Sequence, residues 1–207
     1  MKLTHLGHAC FLVESQGARL LIDPGVLSTY ADLRGLDAVL VTHQHADHVD
    51  VDGLAALLAH HPDAAVVVDA DSEPSVAARV GEVTVARPGD RIAVAGVEVE
   101  VLGGIHAAVY GDVPGCTSNA YLIDGFLHPG DTFTMPGRPV EVLAVPIDGP
   151  WLKLAEAVDY VHAVAPRVAV PMHEGETADP EKYAGMLAAF SPAGVVRRLA
   201  LGEATDL

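Results

Sequence analysis

Six consecutive positions, HQHADH at residues 43–48, hold three imidazoles and a carboxylate: His43, His45, Asp47 and His48. In an apolar setting such a set is costly unless it is satisfied by a partner, and a metal ion is one. Imidazole and carboxylate together suit Zn, Fe and Mn. His43 and His45 lie two apart, so in extended chain they face the same side and can share one ion. Asp47 and His48 sit just beyond, placed to reach a second. Asp47 can also accept a proton, which makes it a candidate catalytic residue as well as a ligand. The plain alternative is a polar helix entry with solvated histidines. Four ligand positions in this order weigh against it.

Three further donors follow, each in a loop after a strand-like run. VLGGIHAAV places His106, LHPGDTF places Asp131, and VPMHEGE places His173. With the cluster they make five histidines and two aspartates. That is enough for two metals with positions left open for water.

The elements that must position these residues can be read from pattern. ACFLVES and ARLLID flank Gln16-Gly17 as a hairpin, and NAYLIDGFLHPGD carries the two-residue turn Asp124-Gly125. DAVLV (37–41) is a short apolar strand ending at the cluster. An apolar strand with polar residues at its carboxyl end is how α/β proteins commonly build sites. Leu54, Leu57 and Leu58 fall at helical spacing, with Asp50 or Asp52 as cap. AAVVVDA, RIAVAGVEVEVLGG, VEVLAVPI and RVAVPM read as strands. Leu154, Ala157, Val158 and Val161 mark a helix. Asp179-Pro180 opens another, with Tyr183, Met186, Leu187 and Phe190 as its expected buried face. Hairpins followed by strand–helix alternation, twice over, predict two mixed sheets covered by helices.

Composition sets the frame. Of the 207 residues, 50% are hydrophobic, enough for a substantial core, and the chain reads as one domain over 1–207. The formal net charge of −16 repels polyanions and argues against nucleic acid and anionic membranes as partners. No apolar run approaches the roughly 20 residues of a membrane span. Cys10 and Cys116 make no disulfide framework, and no leader-like segment follows Met1, so the expected compartment is the cytoplasm. The expected partner is a small-molecule substrate. Oligomeric state is not legible.

At this point the chain resembles the metallo-β-lactamase-fold hydrolases. Their His-x-His-x-Asp-His motif stands here as HQHADH, and the resemblance extends to LLIDPG at Asp23, His106, HPGDT at Asp131 and PMHEG at His173. It implies a four-layer αββα sandwich with metals at one edge. It also implies that His43, His45 and His106 hold a first metal and that Asp47, His48 and His173 hold a second, with Asp131 bridging them. Two divalent ions would then trap a hydroxide, with zinc the first choice and manganese or iron open. Asp23 is a candidate to orient a histidine, or else a turn residue before Pro24. LGHAC around His8 is similar to the start of the branch containing the L-ascorbate-6-phosphate lactonases, which makes His8 the second candidate catalytic residue beside Asp47.

That resemblance implies hydrolysis of a lactone or other small ester, with a small phosphodiester as the alternative. A mononuclear iron redox enzyme and a non-catalytic metal-binding scaffold remain from other classes. A phosphorylated substrate would want a cation. Arg34, Arg138 and Lys153 are the candidates for it, and Tyr110, Phe133 and Trp151 are candidate walls.

Overall fold

A computed structural model of the protein describes residues 1–207. The first hairpin pairs β2 (Phe11–Ser15) with β3 (Ala18–Ile22) around Gln16 and Gly17. Both turn residues have positive φ (53° and 88°), so the turn's twist matches that of the strands. β1 (Lys2–His5) adds antiparallel to β2. β4 (Ala38–Leu40) and β5 (Ala65–Val68) then add in parallel beyond β3. β6 (Thr84–Val85) and β13 (Thr205–Asp206) close the two edges, giving a seven-stranded sheet ordered β13-β1-β2-β3-β4-β5-β6.

The second sheet has six strands in the order β12-β11-β10-β9-β8-β7. Its antiparallel part comprises β7 (Arg91–Val94), β8 (Val97–Ile105), β9 (Thr117–Ile123) and β10 (Phe126–His128). Its parallel part adds β11 (Val142–Pro146) and β12 (Val168–Met172). The Asp124-Gly125 turn again takes positive φ at both residues.

Three apolar clusters define four layers. The largest lies between the sheets and joins Phe11, Leu20, Ile22 and Leu40 of one to Val99, Tyr121, Phe126 and Val170 of the other. A second packs α1 (Val51–Leu58) and α2 (Glu73–Val80) on the outer face of the first sheet through Leu54, Leu57 and Val76. The third packs α3 (Leu154–Val164) and α4 (Pro180–Phe190) on the second sheet through Ala157, Val161, Ala184 and Leu187. This is the αββα sandwich.

The caps follow side-chain chemistry. Asp50, not Asp52, caps α1 by accepting from Gly53 N–H, and Asp179 caps α4 by accepting from Lys182 N–H. The buried face of α4 differs from expectation. Ala184 and Leu187 are buried, whereas Met186 and Phe190 are exposed. The helix meets the sheet along a narrow line, and only the i, i+3 pair facing it is covered.

One buried hydrogen bond ties the two sheets at the root of the His-rich loop. Tyr121 Oη on β9 donates to the carbonyl of Val41, just after β4, at 2.7 Å. Removing it leaves a buried carbonyl without its donor, at a cost of about 1–3 kcal/mol. Tyr121→Phe should lower the unfolding free energy in denaturant by about that amount. An unchanged midpoint would show that the bond contributes nothing to holding the sheets together.

Candidate metal centre

All seven donors meet at one edge of the sandwich. β4 delivers His43, His45, Asp47 and His48, β8 ends just before His106, β10 leads to Asp131, and β12 leads to His173. Two groups form, each with ligand atoms within 4.8 Å of one another: His43, His45, His106 and Asp131, and His8, Asp47, His48 and His173.

Asp131 stands between them. Its Oδ1 lies 3.1 Å from His48 Nε2, and its Oδ2 lies 3.2 Å from His106 Nε2 and 3.1 Å from His173 Nε2. Asp47 Oδ2 lies 3.4 Å from His173 Nε2 and 3.7 Å from His48 Nε2. On the other side, His43 Nε2 meets His45 Nδ1 at 3.0 Å.

The hydrogen-bond network assigns which nitrogens are bare. Asp23, fully buried, accepts from the Thr42 N–H, the Thr42 hydroxyl and His48 Nδ1–H, each at 2.7 Å. The proton of His48 is thus on Nδ1 and its Nε2 is free. Because the Thr42 hydroxyl donates to Asp23, its oxygen is left to accept from His43 Nδ1–H at 3.0 Å. His106 Nδ1–H donates to the Ala107 carbonyl at 2.7 Å. His43, His48 and His106 therefore all present Nε2 inward. Buried His48 Nε2, His106 Nε2, His173 Nε2 and Asp131 Oδ1 have no hydrogen-bond partner. Buried polar atoms are otherwise almost always satisfied, so this convergence fits a cation.

The loop around Asp23 also holds the cluster's backbone. Val26 N–H donates to the Ala46 carbonyl and Asp50 N–H to that of Pro24. A Cβ at Gly25 would lie 1.8 Å from the Asp47 carbonyl oxygen, so only glycine fits there.

Without a metal, protons substitute. Burial disfavours a charged His48, but the Asp131 and Asp23 carboxylates outweigh it and raise its pKa well above the ordinary value. Burial likewise opposes charge on His173, and the adjacent Asp131 and Asp47 carboxylates override it, raising the pKa to about 9. His43 goes the other way, because burial and the neighbouring His48 keep it neutral. Burial would raise the Asp131 pKa, but His48 and its other imidazole partners hold it well below the carboxylate range.

Above the centre lies a cleft of about 320 Å³. His45, Asp47, His106, Asp131 and His173 form its floor, and Val26, Leu27, Val109, Pro150 and Trp151 its walls. Trp151 stands between the two groups, 5.8 Å from the His106 ring and 6.0 Å from that of His173. Phe133 lies behind Trp151, and Tyr110 is 81% exposed outside the cleft. His8 is buried beneath Asp47 and does not line it. Arg34, Arg138 and Lys153 do not line it either. Arg34 bonds to the carbonyls of Ala31 and Leu33, and Arg138 pairs with Glu100. A larger groove of about 540 Å³ lies along α1 and α2 and holds neither ligand group.

Residues 2–173 match the profile of the Beta-lactamase superfamily domain. The chain belongs to that superfamily. It is 43% identical to Protein Rv0786c of Mycobacterium tuberculosis over 84% of each chain. It is 30% identical to a UPF0173 metal-dependent hydrolase of Aeropyrum pernix, over 88% of this chain and 87% of the other. In structure it is similar to the metallo-β-lactamase-fold protein YhfI of Bacillus subtilis. The TM-score is 0.76 at 16% identity, covering 99% of this chain and 98% of that one. In class, the protein is a metal-dependent hydrolase, and its His/Asp groups could bind metal ions. No helix is long and apolar enough to cross a membrane.

Two outcomes follow. Asp23→Asn places an amide where His48 Nδ1–H donates, which pushes that proton toward Nε2. Metal affinity, read by competition with a chromophoric chelator, should fall about 10–100-fold. Unchanged affinity would exclude Asp23 as the group that sets the tautomer. The pH dependence of the metal-free protein has a definite sign. His173 is raised from 6.5 to about 9, so its contribution is complete below pH 6.5 and lost as pH rises through 9. Asp131 is lowered from 3.8, so its contribution holds above that pH and is lost as pH falls through the depressed value. The melting temperature of chelated protein should therefore drop between pH 6.5 and 9. A flat profile in that window would contradict the proton-for-metal substitution.

Proposed function

We propose that the protein hydrolyses lactones or other small neutral esters at a centre of two divalent metal ions, zinc first, with manganese or iron as alternatives. His43, His45 and His106 would hold one ion, Asp47, His48 and His173 the other, and Asp131 both. When bound, such a pair polarises a carbonyl and lowers the pKa of water from about 15.7 toward about 7, giving a nucleophile at neutral pH. A shared Asp131 carboxylate offsets the repulsion between two dications. Asp47 is 24% exposed at the cleft floor against 3% for Asp131, which supports Asp47 as the carboxylate that accepts a proton during turnover. Trp151, Leu27 and Val109 would seat the apolar body of the substrate.

The observation that supports this substrate class is the cleft's charge. No lysine or arginine lines it, and the one charged residue beyond the floor is Glu176, an acid. A phosphate group carried away from the metals would meet no side-chain countercharge there, and a phosphodiester would find it only in the ions themselves. The likeness to the ascorbate-6-phosphate lactonase branch thus extends, in this reading, to ring opening and not to phosphate recognition.

The test is a panel on the zinc-loaded protein: γ-butyrolactone derivatives, p-nitrophenyl butyrate and bis-p-nitrophenyl phosphate. The carboxylic substrates should have the higher kcat/KM. Preference for the phosphodiester would transfer the assignment to the alternative. Asp131→Ala should lower kcat on the best substrate by about 10²-fold or more, because the nucleophile loses its position, with little change in KM. Two tightly held metals and ordinary turnover in that variant would remove the bridging role.

A further inference from the structure

We infer that His8 is not a metal ligand but a positioning residue, a proton-bearing clamp that sets the Asp47 carboxylate. The inference rests on Asp47 being a metal ligand, as proposed above. By proximity alone His8 would count as a fourth ligand beside Asp47, His48 and His173. The backbone decides otherwise. Gly175 N–H donates to His8 Nδ1 at 3.0 Å. A nitrogen that accepts a hydrogen bond carries no proton, so the ring's proton is on Nε2. Nε2 lies 2.9 Å from Asp47 Oδ2, and its N–H points at that oxygen. A protonated Nε2 has no lone pair for a metal. The carboxylate oxygen has two, so accepting from His8 leaves one directed at the space faced by His48 Nε2 and His173 Nε2.

The surroundings fix His8 in this pose. Its φ is +50°, an uncommon value for a residue with a side chain. Two bonds to its carbonyl hold it there, one from His5 Nε2–H and one from the His173 N–H, both at 2.9 Å. His173 and Gly175 thus grip the backbone and the ring of the same residue. A Cβ at Gly175 would come 3.0 Å from His8 Nδ1, so any side chain there would press on the ring. Arg198, bonded at 2.8 Å to Glu174 between them, anchors that loop from the C-terminal segment. The other close neighbours of Asp47 Oδ2, His173 Nε2 at 3.4 Å and His48 Nε2 at 3.7 Å, are proposed ligands of the same ion. Strain and bonding concentrated on one residue signal a functional constraint.

Two substitutions separate the two ring bonds. His8→Asn offers a carbonyl to Gly175 N–H but no donor that reaches Asp47, and asparagine tolerates positive φ. His8→Gln carries an amide N–H out to Asp47. Zinc stoichiometry and affinity are read by chelator competition, alongside the melting temperature of the metal-free proteins. His8→Asn should weaken one of two ions by about 10–100-fold and leave the other unchanged, while His8→Gln keeps both near the wild-type affinity. Equal weakening in both variants, or none in His8→Asn, overturns the clamp. Should neither variant fold, ¹⁵N shifts of the His8 ring in the wild-type zinc protein decide. An Nε2–H tautomer is expected with and without zinc, and loss of that proton on zinc binding would make His8 a ligand and overturn the inference. If the wild-type protein takes up no zinc at all, the metal reading itself fails, which is a separate and recognisable result.

Discussion

One edge of the sandwich, at the floor of a cleft, gathers five imidazoles and two carboxylates whose free atoms point at one another. That constraint governs the rest of the structure. Four of those atoms are buried with no hydrogen-bond partner. Proteins rarely leave such groups unsatisfied, and the costs are too large to carry for nothing. Protons on His48 and His173 relieve part of it in the absence of metal. Cations of higher charge at the same places relieve it more completely.

The sandwich exists to deliver these groups to one edge. Each ligand segment follows a strand, and the two sheets share the apolar core that fixes their separation. The joints are specialised. His8, Asp23 and His173 all have positive φ, and Gly25 lies against the backbone of Asp47. Such conformations persist only where the surroundings over-determine them. Behind the ligands runs a layer whose work is orientation. Asp23 sets His48 directly and His43 through Thr42, and the Ala107 carbonyl sets His106.

Much of this was legible in the sequence because the strongest signals are local. HQHADH concentrates four donors in one turn of chain, and Gln16-Gly17 and Asp124-Gly125 dictate hairpins by their tolerance of positive φ. The resemblance at LLIDPG offered Asp23 as an orienting group, with a turn residue before Pro24 as the other reading. Thr42, Gly175 and His5 were not, because their roles arise from contacts made across the fold. Gly175 bonds a residue 167 positions away. The helix α2 and the edge strand β13 also escaped pattern reading. α2 offers a single buried residue, Val76, and β13 spans two residues paired at a sheet edge. Arg34, Arg138 and Lys153 sat near ligand segments in sequence, yet loop direction carries them away from the cleft. Sequence proximity places a residue near an element and says nothing about which side of it the chain leaves.

Whether these seven donors form a two-ion site is read by counting ions. Purified protein, stripped with chelator and then reconstituted with zinc, would be weighed intact under native conditions alongside elemental analysis. Two zinc ions per chain are expected. Replacing His106, a donor of one group, should leave one ion, and replacing Asp131, which faces both, should loosen the pair. A single ion per chain at saturation, or none, would contradict the two-ion site.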